Sequence, residues 1–196
     1  MGIGPLPAFA GAWALMTAAM MLPSAVPFVF EFARSSERRH GWQLATALLA
    51  ATYVSVWLAF GLVCFAAYAA LRMPWPDQTV IGGIALVVAG AYALSPLKRA
   101  CEARCRELCA LHGPLPFDLR RSAVVAGARY GLSCVGCTAA VMIAAFLVGM
   151  SSLAWMAVLT ALVLVYKLAP EPGPLRRALL AAALVVMGIV YAVAAA

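Results

Sequence analysis

Charge is scarce in this chain. Of 196 residues only 11% are Asp, Glu, Lys or Arg, against about 25% in ordinary soluble domains. Seven residues are acidic and two are histidine. The histidines, His40 and His112, have no triad or zinc-protease spacing, which argues against conventional hydrolytic catalysis. There is no acidic or histidine cluster suited to haem or quinone, and no Walker-type glycine loop to hold ATP. The first residues, MGIGPLPAFAGAW, carry no basic stretch ahead of their apolar run. They are therefore expected to be a retained first helix and not a cleaved secretion signal. No internal repeat stands out, and no low-complexity tract beyond Ala-rich helices.

What fills the chain is apolar: 66% of residues are hydrophobic and the mean hydropathy is +0.98. Apolar runs of roughly 18 or more residues recur, each long enough to cross a hydrocarbon core of about 30 Å. The expected fold is all-α, a polytopic membrane bundle of about six transmembrane helices with a short cytoplasmic helix between spans three and four. The spans fall near Pro7–Phe32, Trp42–Leu71, Gln78–Leu94, Ser122–Gly149, Ser151–Leu168 and Leu175–Ala195. Residues 1–196 read as one transmembrane domain, with 95–121 as a cytoplasmic cysteine-containing helix and loop. Pro23 and Pro27 predict a kink or break in the first span. Gly127, Gly131 and Gly136 leave two readings of the fourth: one long helix, or a short interfacial helix followed by a span.

Positive charge sets the expected orientation. Twelve of the fourteen Lys and Arg lie in the first, third and fifth loops, leaving only Arg72 opposite and Arg129 within a span. The positive-inside rule then puts the third loop in the cytoplasm and both termini outside. For a bacterial protein this is the inner membrane, with the termini periplasmic. The net charge of +7 is explained by topology and calls for no nucleic acid partner. Arg129 sits near the cytoplasmic end of its span, where its head can reach the interface, with Glu31 as a candidate partner.

The third loop contains SPLKRACEARCRELCALHGP. Ser95 is a good N-cap, Pro96 suits the first helical position, and Gly113-Pro114 is a stop signal. On that helix Cys101, Cys105, Cys109 and His112 point within about 80° of one another, at about 100° per residue. A reducing cytoplasm keeps such thiols from forming structural disulfides. Lys98, Arg99, Arg104 and Arg106 favour the thiolate, and soft thiolates select Cu(I) or Zn(II) over Mg or Ca. One straight helix cannot wrap four ligands around zinc, because its outer sulfurs stand two turns, about 11 Å, apart. A transient Cu(I) site therefore fits better than a zinc site. The same stripe also fits packing of cysteine as a small hydrophobe.

A second thiol pair, Cys134-Val-Gly-Cys137, has i, i+3 spacing within the fourth span. In the first span Trp13, Met16 and Met20 share a face, with Met21 beside them. Met20 comes near mid-depth, so thioethers and thiols could meet at one level. Thioethers suit Cu(I), and equally they fill gaps between helices. Cys64, alone in the second span, reads as packing.

Four stretches together resemble a bacterial family of predicted metal-binding integral membrane proteins, a domain of unknown function sometimes labelled copper chaperone. They are WALMTAAMMLPSAVP (Trp13–Pro27), YVSVWLAFG (Tyr53–Gly61), YALSPLKRACEARCR (Tyr92–Arg106) and GARYGLSCVGCTAAVM (Gly127–Met142). The resemblance implies motif positions at Trp13, Met16, Met20, Met21, Pro23, Lys98, Cys101, Cys105, Cys134, Gly136 and Cys137. The family commonly continues its Gly-Cys with a further cysteine and a tryptophan, where this chain has Thr138 and Ala139. It commonly has Glu-Lys after the fifth span, where this chain has Tyr166-Lys167.

The leading expectation is a membrane protein that binds or transfers Cu(I). Cys134, Cys137, Met16 and Met20 form an intramembrane station, and Cys101, Cys105 and Cys109 a cytoplasmic one. Its partners are the soft ion, the bilayer and another membrane protein or metallochaperone. A transmembrane thiol–disulfide or electron relay uses the same thiols. A non-catalytic accessory subunit would use Gly82, Gly83, Gly90 and Ala91 for close packing. Enzymatic activity is not expected.

Overall fold

Apolar helices without internal breaks build the structure. A computed structural model describes residues 6–71, 78–109, 118–149, 153–168 and 173–194, all but the helix-flanking residues of which are α-helical. Seven helices follow in order: α1 Leu6–Ser36, α2 Trp42–Leu71, α3 Gln78–Ala93, α4 Pro96–Cys109, α5 Leu119–Gly149, α6 Leu153–Leu168 and α7 Pro174–Ala194. Four segments are long and apolar enough to cross a membrane: Phe9–Ser36, Trp42–Ala70, Leu119–Val148 and Pro174–Val193. A fifth arises if α3 and α4, bent by 67° at their junction, count as one. This is a multi-pass all-α membrane protein. The predicted third and fifth spans emerge as α3 and α6, of 16 residues each, or about 24 Å at 1.5 Å per residue. That falls short of a 30 Å core, so the count of six is not reached by length alone.

Local chemistry explains where helices start. Ser95 caps α4: its hydroxyl accepts the Lys98 backbone N–H at 3.2 Å, the third position of the helix. Asp118 caps α5 in the same way, taking the Arg121 N–H at 3.1 Å. That cap starts α5 at Leu119, three residues before the expected span. Between α1 and α2 the chain reverses through Gly41, whose φ of 78° suits a residue without Cβ.

Two sequence expectations resolve here. The first span is not broken: α1 runs through Pro23 and Pro27. Proline cannot donate to the carbonyl four residues back and crowds the turn before it. The carbonyls the two prolines leave without their usual donor are Ala19 O and Pro23 O; the side-chain bonds described in this stretch go to neighbouring carbonyls. Ser24 Oγ donates to Met21 O at 2.8 Å, and Tyr130 Oη to Ser24 O at 3.2 Å. The fourth span is one continuous helix of 31 residues, so Gly131 does not divide it. CVGC then lies at mid-helix and not in a first turn.

The chain forms two units, Met1–Ala70 with Cys101–Gly136, and Leu71–Ala100 with Cys137–Ala196. In the first, α1 buries Trp13, Met16, Thr17, Met20, Met21, Ala25, Phe28 and Phe32, an i+3/i+4 stripe. α2 buries Ala45, Leu49, Tyr53 and Trp57, one residue per turn. Gly127 of α5 fits against α2, where an added Cβ would lie 2.5 Å from Leu49 O; at Gly131 it would lie 3.1 Å from Val56 Cβ. These contacts advance together in sequence, so α2 and α5 run parallel. Trp13 meets Trp57 and Met21 meets Tyr53, in opposite order, so α1 is antiparallel to α2.

In the second unit α3 and α7 pack closely. A Cβ on Gly83 would lie 2.7 Å from Gly188 O, and one on Gly90 2.9 Å from Ala181 O. The paired numbers run in opposite directions, so the helices are antiparallel, with backbones close as small residues allow. Outward faces stay apolar: Leu15, Phe30, Val63, Val165 and Val193 are largely exposed, as expected where lipid is the solvent.

Candidate metal centre

The thiol stripe of α4 turns inward. Lys98 and Glu102 are buried, Cys101 and Cys105 are half-buried, and Arg99, Arg104 and Arg106 face outward. The buried Lys98 ammonium lies 4.5 Å from the centre of the Tyr166 ring, a cation–π contact that compensates part of its lost hydration. Cys109 closes α4, but its side chain and the whole of His112 lie outside the described residues. The four-residue face of the sequence reading is thus described at Cys101 and Cys105.

Cys101 reaches α5. A Cβ built on Gly136 would sit 2.6 Å from Cys101 Sγ and 3.4 Å from its Cβ. Only the missing side chain of glycine allows the sulfur to lie there, inside the CVGC turn. The sequence reading had kept α4 and CVGC as separate stations, yet Cys101 of one touches the backbone of the other.

Cys134 and Cys137 are both buried. Three residues apart on a continuous helix, their Cβ atoms stand about 5–6 Å from each other. Cys134 Sγ lies 3.4 Å from Tyr53 Oη, where either group can donate. The same hydroxyl lies 3.5 Å from Met21 O, so Tyr53 ties α2 to both α1 and α5. Tyr53 and Tyr130 have ring centres 5.6 Å apart, and Tyr130 stacks on Phe28 at 4.2 Å. Met16, Met20 and Met21 are buried on α1. Trp13 anchors that helix, its indole N–H donating to Trp57 O at 3.0 Å.

Two polar side chains at this level are buried without hydrogen-bond partners among the described residues: Thr17 Oγ1 and Trp57 Nε1. Sequence reasoning assigned no role to Thr17, Trp57 or Tyr53. The available signal was a hydroxyl or indole N–H inside an apolar span, since such groups find a partner when buried. Arg129 is exposed, and the described contacts do not pair it with Glu31. Cys64 is half-buried.

Among the described residues no group of three or more His, Cys, Asp or Glu side chains is positioned to hold a metal ion. An enclosed zinc site needs four such ligands. The soft donors on these helices are the thiols of Cys101, Cys134 and Cys137 and the buried thioethers of α1, residue types suited to a soft monovalent ion.

Compared with known protein families, residues 10–191 match PpoB2, described as a copper chaperone. The chain belongs to this family. The match runs from α1 into α7 and takes in all four stretches on which the sequence resemblance rested. Nothing matches among the curated proteins or the solved structures. Membership in PpoB2 brings copper forward as the metal for which the thiol and thioether chemistry is to be weighed.

Proposed function

We propose that this protein holds Cu(I) within the membrane and passes it by thiolate exchange. Cys134 and Cys137 are the primary ligands, with Met16 and Met20 as auxiliary thioethers. Cys101 is the exchange thiol, backed along α4 by Cys105 and Cys109. The observation that carries this reading is Cys101 Sγ seated on Gly136. A thiol from one helix that touches the turn bearing two others needs no large motion to exchange ligands. Sulfurs one helical turn apart can flank an ion at about 2.3 Å each. Such low-coordinate binding suits a carrier, because an incoming thiolate finds an open position.

The same reading has six spans, α3 and α6 crossing as shorter helices and α4, part of segment 95–121, entering from the cytoplasmic side deeply enough for Cys101 to reach Gly136. The whole chain is one transmembrane domain in a bacterial inner membrane with both termini periplasmic. A metallochaperone or membrane partner would give or take the ion at α4.

The test is the copper content of full-length protein purified anaerobically, for wild type, Cys134→Ser/Cys137→Ser and Cys101→Ser. The expected result is copper in the wild type, its loss in the double variant, and retention with slowed exchange in Cys101→Ser. A wild type without copper that carries a redox-active disulfide would replace this reading with a thiol–disulfide relay.

A further inference from the structure

Among the apolar helices of the first unit lies a small set of polar atoms that packing does not explain. Thr17 Oγ1 and Trp57 Nε1 are buried and lack hydrogen-bond partners among the described residues; Thr17 is 3% and Trp57 0% exposed. They belong to one level. On α1, Thr17 lies midway between Trp13, which bonds to Trp57 O, and Met21, whose carbonyl takes Tyr53. Thr17 thus stands opposite the Tyr53–Trp57 turn of α2. The Trp57 N–H lies near the Tyr53 oxygen without meeting hydrogen-bond geometry. Tyr53 Oη is 3.4 Å from Cys134 Sγ. One donor therefore reaches a proposed ligand sulfur, and two more buried donors lie on the facing turns of α1 and α2, where unsatisfied polar groups are costly.

Charge says what they are for. When Cu(I) binds two thiols, the two S–H bonds break, two Cu–S bonds form and two protons leave. No electron moves. The complex carries one net negative charge, whereas a thiolate–thioether complex would be neutral. A buried negative charge without hydrogen bonds is strongly disfavoured. We infer that Tyr53, Thr17 and Trp57 form a donor cradle for the anionic bis-thiolate complex, and that they favour this coordination over thiolate–thioether binding through Met16 or Met20. This inference rests on the proposed copper site at Cys134 and Cys137. Tyr53 is a positioning residue that acts through the Cys134 sulfur, with Thr17 and Trp57 completing the donor set around the charge.

The experiment uses full-length protein in detergent, with Cu(I) supplied from a chelator buffer under anaerobic conditions. Thr17→Val keeps the shape and removes the orphan hydroxyl. Its metal-free form should melt at or above the wild-type temperature, because an unsatisfied buried group has been removed. Its Cu(I) affinity should fall, by up to the roughly 10–100-fold typical of outer-sphere changes. Thr17→Ser, which keeps the hydroxyl, should retain wild-type affinity. Tyr53→Phe should weaken binding over a similar range and move the thiolate-to-copper charge-transfer band to lower energy, since the sulfur is no longer polarised by a donor. Wild-type affinity and an unmoved band in both variants, with copper still lost in Cys134→Ser, would overturn the cradle and leave the copper site standing. Affinity loss in Thr17→Val matched by a lower metal-free melting temperature would also overturn it, in favour of simple packing. Copper retained by Cys134→Ser would overturn the site itself.

Discussion

Gly136→Ala puts the Cys101–CVGC contact to its sharpest test. The new Cβ would lie 2.6 Å from Cys101 Sγ, where non-bonded heavy atoms prefer about 3.5–4.0 Å. The sulfur must therefore retreat by about 1 Å or more. Cysteine has one side-chain torsion, and on a helix one of its three wells clashes with the preceding turn. Either the sulfur swings to its other orientation or α4 shifts bodily. A bodily shift costs about 1–3 kcal/mol, as overpacking does elsewhere, and rotation costs less. In both cases the thiol leaves CVGC. Three readouts follow in the full chain: melting temperature, Cys101 alkylation rate by mass spectrometry, and the rate at which bound Cu(I) passes to an external thiol chelator. Alkylation is expected to speed up and copper exchange to slow. Adding Cys101→Ala should relieve the clash, with a coupling of about 0.5–3 kcal/mol in the double-mutant cycle. Additive effects with an unchanged alkylation rate would refute the contact and the exchange role built on it.

Other consequences are more local. Gly188→Val drives a branched side chain into α3, where even a Cβ would be 2.7 Å from Gly83 O; it is expected to cost more than about 3 kcal/mol, read by thermal denaturation in detergent. Ser95→Ala removes the acceptor of the Lys98 N–H and should destabilise the start of α4 by about 1 kcal/mol, seen as faster hydrogen exchange at residues 97–99. Tyr166→Leu strips the aromatic face from the buried Lys98 ammonium. The loss should be about 2 kcal/mol, with Tyr166→Phe much closer to wild type by the same melt.

Features carried by neighbours in sequence were legible in advance. The Ser95-Pro96 start of α4 needs only local chemistry, and it was found with its cap in place. The apolar runs returned as helices α1, α2, α3, α5, α6 and α7 because lipid forces backbone groups to bond within each segment. The fate of Pro23 and Pro27 was not legible. Whether proline breaks a span depends on the packing around it, and Tyr130, which stacks on Phe28 and bonds Ser24 O, lies 106 residues from Ser24 in sequence. α5 starts at Leu119, three residues ahead of the expected Ser122, because Asp118 precedes the apolar run and signals only through its cap. At the site, the soft residue types could be read but not their neighbours. No periodicity brings Cys101 onto Gly136 or Tyr53 onto Cys134, since these are tertiary contacts between helices. Six spans remained an inference from hydropathy, because α3 and α6 are individually short.

Thr138 shows what such neighbours decide. It is buried, four residues beyond Cys134 and next to Cys137, so it belongs to the same inward face of α5. A thiol there would put three sulfurs at i, i+3 and i+4 within about one turn. Three thiolates with one open position make an acceptable zinc site, whereas two do not. The hydroxyl of Thr138 therefore keeps the proposed centre two-coordinate, which favours Cu(I) over zinc and leaves room for Cys101 to attack. Thr138→Cys should tighten Cu(I) binding by at least about tenfold, or 1.4 kcal/mol. It should also create measurable zinc affinity and slow release to an external thiol. X-ray absorption on the copper-loaded variant should count three sulfurs against two in the wild type. Two sulfurs in both proteins, with unchanged release, would mean that position 138 does not face the ion, and the placement of the centre between Cys134 and Cys137 would have to be abandoned.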